Sequence, residues 1–220
     1  SKSPVFGNPS VFCDYIELSK WESFTVTLKT PKFFNFMEQL TDNTAGTGGL
    51  VTFTDSSWLM SVVLAHQPHF INQPDDVWVF WGYALYPDNV GDCVNKKMSD
   101  CTGAEIITEL CHHLKILDKQ HDYFETANCI PCMMPFIDSQ FMPRKPGDRP
   151  QIVPNGSNNF AFLGQFAEQP DDCAFTVEYS IRSAQTAVYS LLNLDKLSCP
   201  IYEGQPDIHV LIDGLNATRR

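Results

Sequence analysis

The chain has 220 residues, 43% of them hydrophobic, with 15 basic against 26 acidic side chains and a formal net charge of −11. That length suits one large or two small domains with a sizeable core, and the acidic balance, without any Lys/Arg cluster, argues against a nucleic-acid backbone as partner. No apolar run approaches the roughly 20 residues of a spanning helix, and the opening SKSPVFGNPS has no apolar signal-peptide core, so the sequence reads as soluble, unexported and cytoplasmic.

In chain order, Pro4, Gly7 and Pro9 make the first residues loop-like. WESFTVTL carries the β-branched and aromatic enrichment of a strand. TPKFFNFMEQL predicts a helix capped by Thr30, with Pro31 in its first position and Phe33, Phe34, Met37 and Leu40 on one stripe. GTGG at 46–49 reads as a turn between strands; LVTFTD and SWLMSVVL then read as a strand pair, and VWVFWGYALY, apolar on both faces, as a central strand. In SDCTGAEIITELCHHL, Thr102 and Glu105 make a capping box ahead of Ile106, Leu110 and Leu114 at helical spacing.

Residues 121–158, rich in Pro, Gly, Asn and Asp, read as a long connecting loop. NFAFLG predicts a buried strand ending at Gly164. An acidic loop with Glu168, Asp171 and Asp172 leads to a helix from Thr176, whose apolar face of Val177, Ile181, Ala184, Val188 and Leu191 should pack on a sheet. DIHVLIDGL reads as a short amphipathic helix with Asp207 as its cap.

The residues themselves leave the chemistry open. Sixteen Phe, seven Tyr and four Trp suit either a deep core or an apolar ligand pocket. The eight cysteines are irregularly spaced and read as reduced thiols. Cys129 and Cys132, in CIPC, lack both the second ligand pair of a zinc site and the strand-to-helix setting of a redox pair. His66 and His69 flank Pro68 and so cannot share a helical metal-binding face, which leaves structural roles or an anchor for an acid group. His112 and His113, late in a helix, complement its dipole. No metal site is expected. G-x-S-x-G, the phosphate-loop pattern and G-x-G-x-x-G are all absent. A strand ending in glycine before a helix N-terminus does suit close approach to a cofactor.

Three segments, SWLMSVVLAHQPHFINQPDDVWVFWGYALYPDNVGD, NCIPCMMPFIDSQFMPRKPGDRPQIVP and NFAFLGQFAEQPDDCAFTVEYSIRSAQTAV, closely resemble the oleate hydratase family, also called myosin-cross-reactive antigens. The likeness runs from about Phe6 to near Leu192. It implies an α/β chain forming part of an FAD/NAD(P)-binding fold, truncated on its N-terminal side, with an interleaved mixed-sheet substrate domain. The implied activity adds water across the cis double bond of free unsaturated fatty acids such as oleate and linoleate, with FAD bound and no net redox change.

Under that resemblance residues 1–120 belong to the substrate domain, 121–158 connect, 159–194 end the FAD-binding domain and 195–220 form a tail. Gly164, Gln165 and Phe166 would lie at the strand end beside the flavin, and Thr176, Val177 and Glu178 at the helix terminus facing it. His69, with His66 and Gln67, would meet the fatty-acid carboxylate. Trp58, Phe70, Trp81 and Tyr83 are candidates for lining an acyl cavity. Some members place Thr and Asn six and four residues before this His, where the present chain has Val63 and Ala65. Members are much longer, and the Gly-rich pyrophosphate loop and water-activating acid would precede this region, so no catalytic residue is expected here and the chain alone should be inactive. The whole protein would be a homodimer, with peripheral membrane contact through the C-terminal tail left open. Two other readings remain: a non-catalytic fatty-acid-binding or assembly module, and an FAD-fold oxidoreductase.

Overall fold

The computed structural model describes residues 5–173, 176–201 and 208–217. The chain divides into a sheet unit, Tyr15–Ser139, and a terminal unit formed by Ser1–Asp14 with Gln140–Arg220. The elements run α1 (Ser10–Cys13), α2 (Ile16–Ser19), β1 (Trp21–Leu28), α3 (Lys32–Thr41), β2 (Val51–Thr52), β3 (Met60–Val63), β4 (Trp78–Ala84), α4 (Gly103–His113), α5 (Gln120–Phe124), β5 (Asn128–Met134), α6 (Val177–Leu191) and α7 (Ile208–Ala217).

In the sheet unit the five strands lie in the order β2-β3-β4-β1-β5, every pair antiparallel. The expected mixed sheet is therefore corrected to a purely antiparallel one. β1 alternates along its length: Phe24, Val26 and Leu28 are fully buried while Thr25 between them is exposed. Across the ladder Val26 sits opposite Phe80. α3 supplies Phe33, Phe34 and Met37 to the same core, and α4 supplies Ile106 and Leu110, each buried side chain contributing about 1.5–3 kcal/mol of transfer free energy. β4 is the middle strand, as its two-sided apolarity predicts. Its other face presents Trp81 and Tyr83, whose rings stack with centroids 5.6 Å apart, and Trp21 lies 4.3 Å from Tyr83.

Local signals hold where a side chain itself makes the structure. Thr102 Oγ1 accepts from the Glu105 N–H while Glu105 reaches back to the Thr102 N–H, so the predicted capping box starts α4. α3 begins one residue later than predicted: Pro31 occupies the cap and Thr30 makes no cap bond. Leu40 points to solvent. The GTGG turn joins α3 to β2 instead of joining two strands, and only Val51–Thr52 of LVTFTD pairs. The expected loop 121–158 contains the end of α5 and the whole edge strand β5.

The terminal unit departs further from expectation. Among its described residues there is no strand; the predicted strand 159–164 is irregular, tied by the Phe162 N–H to Ile152 O at 2.8 Å, and an isolated parallel bridge joins Gln151 to Glu168 beyond it. A strand needs a neighbouring ladder, and the chain here has one short partner segment. α6 forms as predicted but buries a different face. Tyr179, Ser183 and Ala187 are inward, whereas Val177 is 71% exposed and Ile181 and Val188 are about half exposed. Polarity explains the choice: the inward hydroxyls satisfy backbone groups of the irregular segment that no sheet satisfies. α7 lies where DIHVLIDGL predicts a helix, and its proposed cap, Asp207, falls outside the described residues. Among the described residues no helix is long and apolar enough to cross a membrane.

Candidate functional site

The substrate-side residues sit in the sheet unit, on the segment from the end of β3 to the start of β4. Two glutamines fold that segment. Gln67 Nε2 donates to Ala65 O and Val79 O, both at 2.9 Å, while its Oε1 accepts from the Val79 N–H at 3.1 Å and from Gln73 Nε2 at 2.9 Å. Gln73 completes the knot, donating also to Val77 O and accepting the N–H groups of His69 and Phe70. Every donor and acceptor of both amides is used. Gln67 thus acts as a structural clamp, with its amide engaged by the surrounding backbone and Gln73.

What the clamp presents is His69, exposed and edge-on to Phe70 at 4.6 Å, beside an exposed Ile71. The backbone at His69 is pinned while its imidazole is left at the surface, an arrangement suited to a hydrogen bond or charge contact with an acid group. His66 lies under the Gly-rich turn. Gly46 has φ +87° and donates to Leu64 O, and a Cβ there would fall 2.6 Å from that of His66, so glycine is required for the approach.

The four aromatic candidates do not form one cavity. Trp58 is wholly buried in the core, its Nε1–H donating to Asn89 O; Trp81 and Tyr83 occupy the other sheet face; Phe70 is more than half exposed. Trp58 is therefore a packing residue. A separate cleft of about 250 Å³ lies between the end of α3 and the 43–50 turn, lined by Met37, Glu38, Ala45, Leu50 and Leu64, and it includes neither histidine.

The cofactor-side candidates belong to the terminal unit. Gly164 has φ +85°, open space where a Cβ would point, and an N–H donated to Ser183 Oγ at 2.9 Å. Gln165 is half-buried, and Phe166 meets the Phe12 ring edge-on at 5.4 Å. Thr176 caps α6 by accepting the Tyr179 N–H, leaving Val177 and Glu178 on the exposed first turn. Ser183, which holds Gly164, lies six residues beyond Val177, about 9 Å along the helix axis. Both groups are thus tied to α6 without forming a single closed pocket.

Tyr179 organises this region. Its hydroxyl donates to Ala167 O at 2.6 Å and lies 3.0 Å from both the Gln169 N–H and Arg149 Nη1. Arg149 is itself buried, bonded through Nη2 to Gln140 O at 2.8 Å, and burial pulls its guanidinium below the ordinary value. Arg182 pairs with Asp172 and donates to Cys199 O, fastening the acidic loop to the helix.

All eight cysteines are free. Cys129 and Cys132 are three residues apart on β5, so their side chains project to opposite faces. Burial pushes the Cys129 thiol up to about 12, which makes it inert as a nucleophile.

One constellation escapes the sequence reading. The His113 side chain is buried, its imidazole beside Glu109 and Asp92. The legible signal was the Glu109-to-His113 spacing of four on α4; the approach of Asp92 from a distant loop was not legible.

A protein named oleate hydratase from Streptococcus pyogenes serotype M49 (strain NZ131) is 45% identical over 203 residues, spanning 88% of this chain and 34% of the relative. A protein named linoleate hydratase from Lactiplantibacillus plantarum is 34% identical over 220 residues, spanning 91% of this chain and 39% of the relative. The chain thus spans between a third and two fifths of the length of these curated relatives. The sequence model of the MCRA family matches residues 1–189, and with most of its length inside that match the chain belongs to the MCRA family.

Proposed function

We propose that this chain is the C-terminal portion of a fatty acid hydratase, which adds water to the cis double bond of a free unsaturated fatty acid and yields a hydroxy fatty acid. The observation that carries the reading is the 45% identity to an oleate hydratase across 88% of the chain. In this reading His69, held out by the Gln67–Gln73 clamp, meets the substrate carboxylate, and the aromatic face of Trp81 and Tyr83 lies toward the acyl chain. The residues that activate water belong to the remaining length of the hydratase, so this chain by itself does not turn over substrate.

FAD is the proposed cofactor, and the residues present suit one edge of it. Open space over Gly164 admits a flat ring, and the first turn of α6 carries N–H groups without intrahelical acceptors. The pyrophosphate is a different matter: no G-x-G-x-x-G loop occurs here, so that half of the cofactor is held by other chain. When bound, the flavin supplies a polar aromatic surface with no net redox change. The exposed apolar face of α6 is then covered by the sheet of the FAD-binding domain.

Two measurements test this. The chain incubated with oleate and FAD should give no hydroxy acid by mass spectrometry above the uncatalysed background; product at enzymatic rates overturns the division of labour. In the full-length hydratase, His69→Ala should weaken fatty-acid binding by about 1–3 kcal/mol, read as a raised KM. Unchanged kinetics remove His69 from the site.

A further inference from the structure

The 88–97 loop wraps round the end of α4, and at its centre stands Glu109, wholly buried. Three successive loop N–H groups converge on its carboxylate: Asp92 to Oε1 at 2.6 Å, Cys93 to Oε2 at 3.0 Å and Val94 to Oε2 at 2.8 Å. Such a nest fixes the carboxylate in place. Cys93 leans toward Oε2, its approach to Oε1 being the longer at 3.2 Å, so Oε1 has one short partner and lone-pair capacity to spare.

Asp92 is set equally firmly. Its two oxygens accept the Ser57 hydroxyl at 2.6 Å and the Ser57 N–H at 2.8 Å, and these bonds, the hydroxyl first, hold its carboxyl below the ordinary range. Into the space between the carboxylates points His113, its side chain only 3% exposed. Its Nε2 has no hydrogen-bond partner, and it lies 3.4 Å from Asp92 Oδ2 and 3.4 Å from Glu109 Oε1. Those separations exceed a good N–H···O bond. They do match the edge of a tetrahedron whose centre is about 2.0–2.1 Å from each donor, close to 3.3–3.4 Å.

We propose that Asp92, Glu109 and His113 bind a divalent cation of the zinc type, through Oδ2, Oε1 and Nε2. The three ligand atoms all lie within 4.8 Å of one another. Two carboxylate ligands and an imidazole make a donor set suited to a divalent ion, and no Lys or Arg pairs with either carboxylate among the described residues. The nitrogen ligand and small donor set disfavour calcium and magnesium, which take more oxygens. Two of the ligands have the support metal ligands usually have: Ser57 on Asp92 and the nest on Glu109. Asp92 is about a third exposed, so a water has access to the fourth position. The ion would staple the 88–97 loop to α4, independently of the hydratase reading.

The test uses the purified full chain, stripped with chelator and titrated with Zn2+ alone by calorimetry and with Co2+ by visible spectroscopy. One equivalent should bind, raise the melting temperature and give the bands of tetrahedral Co2+ without a thiolate charge-transfer band. Asp92→Asn, which keeps an acceptor for Ser57, and His113→Ala should each weaken binding at least tenfold. Absence of stoichiometric binding, binding unchanged in Asp92→Asn, or a thiolate band from the eight free cysteines would each overturn the assignment.

Discussion

The two units of this chain are stabilised by different means. Among the described residues the sheet unit gathers twenty buried hydrophobic residues into one continuous core, whereas the apolar cluster of the terminal unit has three, Ile152, Ala167 and Ala187. What the terminal unit has instead is a polar lattice: Arg149, Tyr179 and Ser183 are all buried and all engaged with backbone or with one another. The larger apolar side chains Val177, Ile181 and Val188 of α6 face outward. A unit with its own core can tolerate partial sheet edges; a unit held by directional bonds depends on each of them, and its exposed apolar face is the surface that the proposed FAD-binding domain would cover.

The largest effect should come from the sheet core. Phe33 is fully buried against Phe80 and Phe124, with centroids 4.8 Å and 4.7 Å away, and Phe33→Ala should cost about 3–5 kcal/mol in urea denaturation. A loss under 1 kcal/mol would mean that this core is not the source of the unit's stability.

Glu22 sharpens the comparison from within the same unit. It is 5% exposed with Oε2 unpartnered, and burial, with the nearby charges of Asp100 and Asp88, raises it from 4.5 to about 7. Below 4.5 both folded and unfolded chains hold the proton and nothing is lost. Between 4.5 and about 7 only the unfolded chain releases it, so stability falls as pH rises and levels off above 7. Glu22→Gln should therefore stabilise by about 2 kcal/mol at pH 8 and by little at pH 4. Equal effects at both values would show that Glu22 is not buried as an acid.

In the terminal unit Tyr179→Phe removes one hydroxyl from three partners, and denaturation should report a loss of about 1–3 kcal/mol. A neutral result would make the polar lattice incidental. The smallest effect is at α6: Ile181→Ser should change the stability of this chain by less than about 0.5 kcal/mol. In the full-length hydratase, where the proposed domain covers this face, the same change should cost about 2–3 kcal/mol, and a neutral outcome there would leave the face uncovered.

The candidate sites divide along similar lines. Gln67 was legible as a neighbour of His69 but not as a clamp, because its partners Val79 and Gln73 come from across the turn. Trp58 and Trp81 look alike in sequence. Trp81 stands in the β4 ladder, where a slip of one residue would turn it to the core face, whereas Trp58 lies in the turn before β3 and is buried by packing and by its bond to Asn89 O.

The sequence by itself determined what neighbouring residues can enforce: the alternating strand β1, the capping box of α4, the existence of α6, and the long motifs that assign the family. Tertiary structure alone decided which face of α6 is buried, that 159–164 does not become a strand, and that Asp92 meets Glu109 and His113. The physical reason is range. Caps and periodicity act within a few residues, while burial and polar satisfaction are settled by groups from distant parts of the chain, and here a helix with an apolar face turned inward the side whose hydroxyls that distant backbone required.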